Sequence, residues 1–182
     1  MNAYIFLAEG FEEVEAITPL DLLLRVGVNI KTVGVGSHEI KGAHGISVKT
    51  DLCTCELSVD SCDVVILPGG MPGTLNLAAN DTVSATVDAV AKKGGLVCAL
   101  CAAPSILGQK GLLDGKNATC YPGFEDKLVG ANVTGERVCT DGNIITAKGA
   151  GAATEFGLAI VKYLCGQETA DKLAHAFIAN VN

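Results

Sequence analysis

Short runs of branched and apolar residues recur along this chain, each closed by glycine, proline or charge, and most are followed by a segment whose apolar residues return every three or four positions. NAYIFLA (Asn2 to Ala8) predicts a buried strand, and EVEAITPLDLLLRVGV after it predicts a helix ending before Gly27. NIKTVGVG predicts a second strand, ISVKTDL a third, and CDVVILPGG another that closes on two glycines. NDTVSATVDAVAKKGG reads as a helix capped by Asp81 and stopped at Gly94 and Gly95. LVCAL is the next strand, and APSILGQKGLL opens a helix with Pro104 in its first turn, where a missing N–H is harmless. RVCTDGNIITAKG predicts a hairpin turned at Asp141 and Gly142, ATEFGLAIVKYLCG a buried helix stopped by Gly166, and ETADKLAHAFI a short last helix.

Strands and helices alternating at this pace imply an α/β sandwich of flavodoxin-like type: a mostly parallel sheet with helices on both faces and a small antiparallel addition. At 182 residues, with 49% hydrophobic residues and no linker or repeat, the chain is expected to form a single domain over residues 1–182. Its apolar runs are too short to suggest a membrane span, and its first residues lack the basic segment of an export signal, so a cytoplasmic location is expected. The net charge of −7 and the scattered Lys and Arg argue against nucleic acid as a partner. Eight cysteines read as free thiols and small apolar fillers. Cys53 and Cys55 form a tight pair, but His38, His44 and His175 do not complete a zinc pattern, so neither a metal nor another cofactor is expected.

In a sheet of this kind the ligand crevice lies beyond the carboxyl ends of the strands. Glu9 to Glu15, Pro68 to Gly73, Cys101 to Pro104 and Lys148 to Ala152 all fall there. Cys101 stands where LVCAL gives way to a helix, flanked by Leu100, Ala102 and Ala103, and so resembles a nucleophile elbow; the other reading makes it one more buried cysteine. A helix start behind the thiol would favour the thiolate and lower its pKa. Cys98 completes a Cys-x-x-Cys spacing but falls inside the strand pattern, which argues against a dithiol mechanism. Glu12 and Glu13 read as solvated acids at a helix start, whereas Glu15, followed by Ala16, Ile17 and Leu20, is placed to turn inward. Gly69 and Gly70 could present backbone N–H groups to an oxyanion, or form a plain tight turn.

AEGFEEVEAITPLDLLLRVG, DVVILPGGMPGTLNL, GGLVCALCAAPSIL, CYPGFED and ITAKGAGAATEFGLAIVKYL together resemble the ordered motifs of the ThiJ/PfpI superfamily, in its branch around the parkinsonism-associated deglycase. That resemblance implies a flavodoxin-like homodimer with Cys101 as the reactive, oxidisable cysteine, Glu15 as its protonated partner, and Gly70 and the Ala102 amide as oxyanion donors. Arg25 and His44 would belong to an anion pocket at a dimer interface. The implied activities are conversion of α-oxoaldehydes or early glycation adducts (glyoxalase or deglycase chemistry) without a cofactor, with a peroxide-driven redox sensor or a chaperone as the alternative. Tyr121 stands where some relatives carry a histidine, which speaks against a Cys-His dyad and against protease activity.

Overall fold

The computed structural model describes residues 1–179. These residues form strands β1 (Ala3–Leu7), β2 (Ile30–Gly34), β3 (Glu39–Lys41), β4 (Ser47–Lys49), β5 (Leu52–Cys53), β6 (Val64–Leu67), β7 (Leu96–Leu100), β8 (Asn117–Ala118), β9 (Asn132–Val133), β10 (Val138–Asp141) and β11 (Ile144–Ala147), with α-helices between β1 and β2, β6 and β7, and β7 and β8 and after β11. The helices are α1 (Glu13–Arg25), α2 (Gly73–Ala78), α3 (Asp81–Lys92), α4 (Pro104–Gln109), α5 (Ala153–Cys165) and α6 (Gln167–Ala176). Seven strands form the main sheet in the order β10-β11-β7-β6-β1-β2-β5. Every neighbouring pair is parallel except the β10-β11 hairpin, as the expected flavodoxin-like α/β sandwich requires.

The unbroken apolar character of the central strands follows from burial on both faces. Ala3, Ile5 and Leu7 of β1 join Leu22 and Leu23 of α1, Phe156 and Ile160 of α5 and Leu173 of α6 in one core layer. Tyr4 and Phe6 point the other way, against Leu77 of α2, Val83, Val87 and Val90 of α3 and Leu107 of α4. Enclosing a side chain such as Leu22 or Phe156 stabilises the fold by roughly 1.5–3 kcal/mol. Helix α5 packs on α1 at Gly157, where an added Cβ would sit 2.6 Å from Leu22 Cδ1 and 3.1 Å from Pro19 Cα, so the absent side chain is what sets α1 this close.

Four local expectations are corrected. ISVKTDL is not one strand: Ser47–Lys49 pairs antiparallel with Glu39–Lys41 as β3-β4, and only Leu52–Cys53 joins the main sheet. The polar pair Thr50 and Asp51 separates them, because Asp51 Oδ2 accepts from both the backbone N and Oγ1 of Thr32, each at 2.8 Å. Helix α3 is capped by Asn80, whose Oδ1 accepts from Val83 N at 3.0 Å, and Asp81 is its first residue. The hairpin turns at Gly142 and Asn143, since Asp141 pairs with Ile144. Helix α4 ends at Gln109, short of the GLL segment.

The chain leaves β1 to build β2 and β5 on one side, then returns to build β6, β7 and β11 on the other. The strand order therefore reverses at β1, and the crevice expected at such a point opens between the carboxyl ends of β1 and β6. Glu12 N donating to Gly69 O at 3.0 Å ties the two loops together there.

Candidate active site

Cys101 follows β7 directly and has φ +61°, a left-handed conformation that costs a residue bearing a Cβ about 1–2 kcal/mol. Its neighbours hold it there. Cys101 N donates to Ala147 O at 2.9 Å, Tyr121 N donates to Cys101 O at 2.8 Å, and Ala103 N donates to Leu100 O at 3.1 Å. Ala102 and Ala103 are small enough to let the chain turn into Pro104 at the start of α4. The half-buried thiol opens into a cleft of about 280 Å³ whose walls include Glu12, Glu15, Gly70, Tyr121 and Ala150.

Glu15 lies in the first turn of α1 and is 1% exposed. Its Oε2 accepts from Gly69 N at 2.8 Å, and Cys101 donates its thiol proton to the same carboxylate. A Cβ on Gly69 would fall 2.6 Å from Cys101 Cβ and 2.7 Å from Glu15 Oε2, so only glycine lets the carboxyl and the thiol meet across this strand end. The backbone N–H groups of Gly70, itself at φ +90°, and of Ala102 donate toward the sulfur.

Burial pushes Glu15 up from 4.5 to about 7, against the pull of hydrogen bonds from the Cys101 thiol and the Gly69 amide. Burial, then the charge of Glu15 and the hydrogen bond to it, push the Cys101 thiol up to about 12, while the Gly70 and Ala102 amides pull it down. The lowered thiol pKa expected from a helix start is therefore not what this site produces: α4 is six residues long and begins three residues past the cysteine, and burial, joined by the carboxylate beside it, outweighs it. The two groups act as one unit. Between about 7 and about 12 they share a single negative charge, and when the proton sits on Glu15 the thiolate is relieved of its repelling neighbour and gains a donor.

The other acids of the α1 start divide differently from expectation. Glu13 is buried rather than solvated: its Oε1 accepts from His44 N at 2.8 Å and Ile46 N at 3.4 Å, and its Oε2 lies 2.9 Å from His44 Nδ1. Burial pushes Glu13 up, but the hydrogen bonds from His44 and the backbone prevail and lower its pKa, while the Glu13 hydrogen bond raises that of His44. Glu12 Oε2 stands 3.5 Å from the same ring nitrogen. Arg25 is at the opposite end of α1, about 18 Å along the helix. There it pairs with Asp21 at 2.8 Å and lies over the Phe177 ring at 5.3 Å. Within one chain Arg25 and His44 therefore lie apart, and His44 faces two carboxylates. Glu12, Glu13 and His44 each offer a donor atom within 4.8 Å of the others, a set that suits a divalent cation, although hydrogen bonds already engage these atoms.

Sequence reasoning missed the Glu13–His44 contact, which joins residues 31 apart and leaves no periodic trace. Cys98 is wholly enclosed on β7 among core side chains, and its thiol is pushed well up by burial. Cys53 and Cys55 lie on and just after edge strand β5, where Cys53 Sγ caps a short turn by accepting from Cys55 N at 3.4 Å.

Residues 1–163 match the DJ-1/PfpI family. The chain belongs to that family. It is 34% identical over 184 residues to Protein dj-1beta of Drosophila melanogaster, spanning 100% of this chain and 98% of that protein. It is 32% identical over 167 residues to a Caenorhabditis elegans protein named glutathione-independent glyoxalase DJR-1.2, spanning 91% and 89% of the two. Among solved DJ-1 structures, the crystal structure of Drosophila melanogaster DJ-1beta superposes with a TM-score of 0.92 at 32% identity, covering 99% of this chain and 98% of the other. A structure described as Toxoplasma gondii DJ-1, oxidized, gives a TM-score of 0.95 at 28% identity, with 99% of both chains covered. The DJ-1/PfpI assignment agrees with the doubly covered parallel sheet and with a DJ-1-type role in stress response.

Proposed function

We propose that this DJ-1/PfpI chain converts α-oxoaldehydes, or the early adducts they form, through Cys101 with Glu15 as its acid and base. The observation that carries the reading is Cys101, held at φ +61° so that its sulfur faces a cleft shared with an almost fully enclosed glutamate. The name of the Caenorhabditis elegans relative supports a carbonyl substrate. In the first step Cys101 Sγ bonds to the aldehyde carbon, and the resulting oxyanion accepts hydrogen bonds from the Gly70 and Ala102 amides before taking a proton from Glu15. Glu15, again ionised, then removes the proton from that carbon to give an enediolate, the hydroxyl proton passes to the neighbouring oxygen, and Glu15 returns its proton to the neighbouring carbon, leaving a 2-hydroxyacyl thioester. Water cleaves the carbon–sulfur bond, giving the 2-hydroxy acid and the free thiol. The chain's own groups supply every proton transfer, so the reading calls for no cofactor.

A second reading, oxidation of Cys101 to a sulfinate that Glu15 holds by a hydrogen bond, is supported by the oxidised Toxoplasma gondii relative. The two are separated by measuring lactate made from methylglyoxal by wild type and Cys101→Ser, beside intact mass after graded peroxide. Turnover abolished in the variant is the expected result. Negligible wild-type turnover with stoichiometric sulfinate would replace the enzyme by the sensor. We further propose a cytoplasmic homodimer: Val14, Ile17 and Leu24 are 49%, 40% and 53% exposed along one face of α1, an apolar stripe suited to a second copy. Among the described residues no helix is long and apolar enough to cross a membrane.

A further inference from the structure

An open surface groove of about 290 Å³ adjoins the Cys101 cleft, and Tyr121 and Ala150 wall both. Charge divides the two spaces. The cleft carries Glu12 and Glu15 and no cation; its neighbour carries Arg137 and Lys148 and no carboxylate. In a chain with 20 acidic residues against 13 Lys and Arg, a groove lined by two cations, only one of them paired with a carboxylate, runs against the average. Lys148 is half-buried just past β11, and its Nζ donates to Gly135 O at 3.1 Å. An ammonium has three donors, and among the described residues this one pairs with no carboxylate, so donors remain for a ligand. Arg137 is steadied by Glu155, 2.8 Å from its Nε, and by the Gly151 carbonyl. Gly149 and Gly151 complete the wall without side chains.

We propose that this groove is a subsite for a phosphate or carboxylate carried by the same small molecule whose aldehyde reaches Cys101. The proposal rests on the Cys101-centred carbonyl chemistry above and narrows its substrate class to anionic α-oxoaldehydes. A neutral oxoaldehyde such as methylglyoxal fills only the cleft. One bearing a phosphate monoester also fills the neighbouring groove, where Lys148 offsets a charge that Glu12 and Glu15 oppose, and Arg137, its charge paired with Glu155, offers only a remaining N–H. The chemistry is unchanged: sulfur adds to the aldehyde, a proton moves between adjacent carbons, water releases a 2-hydroxy acid, and the phosphate ester stays intact.

The test has one arm that needs no turnover. Site-resolved alkylation of Cys101 is followed with glycerol 3-phosphate, glycerate or glycerol present. Glycerol 3-phosphate is expected to shield the thiol best and glycerol least. Lys148→Gln is expected to weaken the phosphate's protection about tenfold, the order of one charge-assisted contact, whereas Lys148→Arg preserves it. In the second arm, kcat/KM for hydroxypyruvaldehyde phosphate is compared with that for methylglyoxal, and Lys148→Gln is expected to lower the ratio of the two about tenfold. If neither compound is converted yet glycerol 3-phosphate still shields Cys101 in a Lys148-dependent way, the enzyme reading falls and the anion subsite stands. If glycerol shields as well as glycerol 3-phosphate, or if Lys148→Gln alters neither protection nor ratio, the subsite is overturned.

Discussion

Replacing Glu15 by Gln is expected to stabilise the fold while disabling the chemistry. The carboxyl is 1% exposed, and burial lifts its pKa from 4.5 to about 7, so the folded chain holds this proton more tightly than the unfolded chain does. For an acid shifted in this direction, the penalty of ionising it in place is absent below 4.5, grows as pH rises through the folded value, and is complete above about 7. At about 1.4 kcal/mol for each tenfold change in proton affinity, the penalty is about 3 kcal/mol. Gln matches the protonated carboxyl in shape and can still accept from the Gly69 amide, so it should equal wild type near pH 4.5 and exceed it by about 3 kcal/mol at pH 8. Urea unfolding of both proteins at the two pH values reads the difference directly. Turnover of methylglyoxal by the same variant should fall by about 10²-fold or more, as for loss of an acid–base group. A stability difference that does not change with pH, or a variant weaker than wild type at pH 8, would show that Glu15 is not an enclosed, proton-holding acid.

Site-resolved thiol labelling should modify Cys101 well before Cys98, because the first opens into the cleft and the second is fully enclosed; equal rates would sink the elbow assignment. Gly69→Ala should cost about 1–3 kcal/mol in thermal unfolding, because its Cβ must displace either Cys101 or Glu15, and should impair Cys101 chemistry with it. Unchanged stability and reactivity would mean that the strand end yields without disturbing the pair. Sedimentation at micromolar concentration should show a dimer for wild type and a shift toward monomer for Ile17→Lys, placed in the exposed stripe of α1; a wild-type monomer refutes that interface.

The layer arrangement was legible because it rests on local periodicity. Val64 to Leu67 and Leu96 to Leu100 are apolar at every position, which marks strands covered on both faces, and α3 and α5 carry apolar repeats ended by glycine. The misreadings occurred where a distant partner overrode the local pattern. ISVKTDL looks continuous until Thr32 captures Asp51, and the cap of α3 moves to Asn80 because that side chain reaches Val83 N.

The active-site candidates divide on the same line. A cysteine between a strand and a Pro-led helix, and glycines closing VVIL, are neighbours in sequence, so an elbow and a tight loop could be read from their order alone. No local pattern could say that Glu15 meets Cys101, that Glu13 is buried against His44, or that Arg25 ends a helix length away. Those facts depend on how the sheet's strand order reverses at β1 and how closely Gly157 lets α5 press on α1. The thiol's pKa runs opposite to the helix-start expectation for that reason: a helix start is visible along the chain, but the burial of Cys101 and the carboxylate beside it exist only once distant segments have packed.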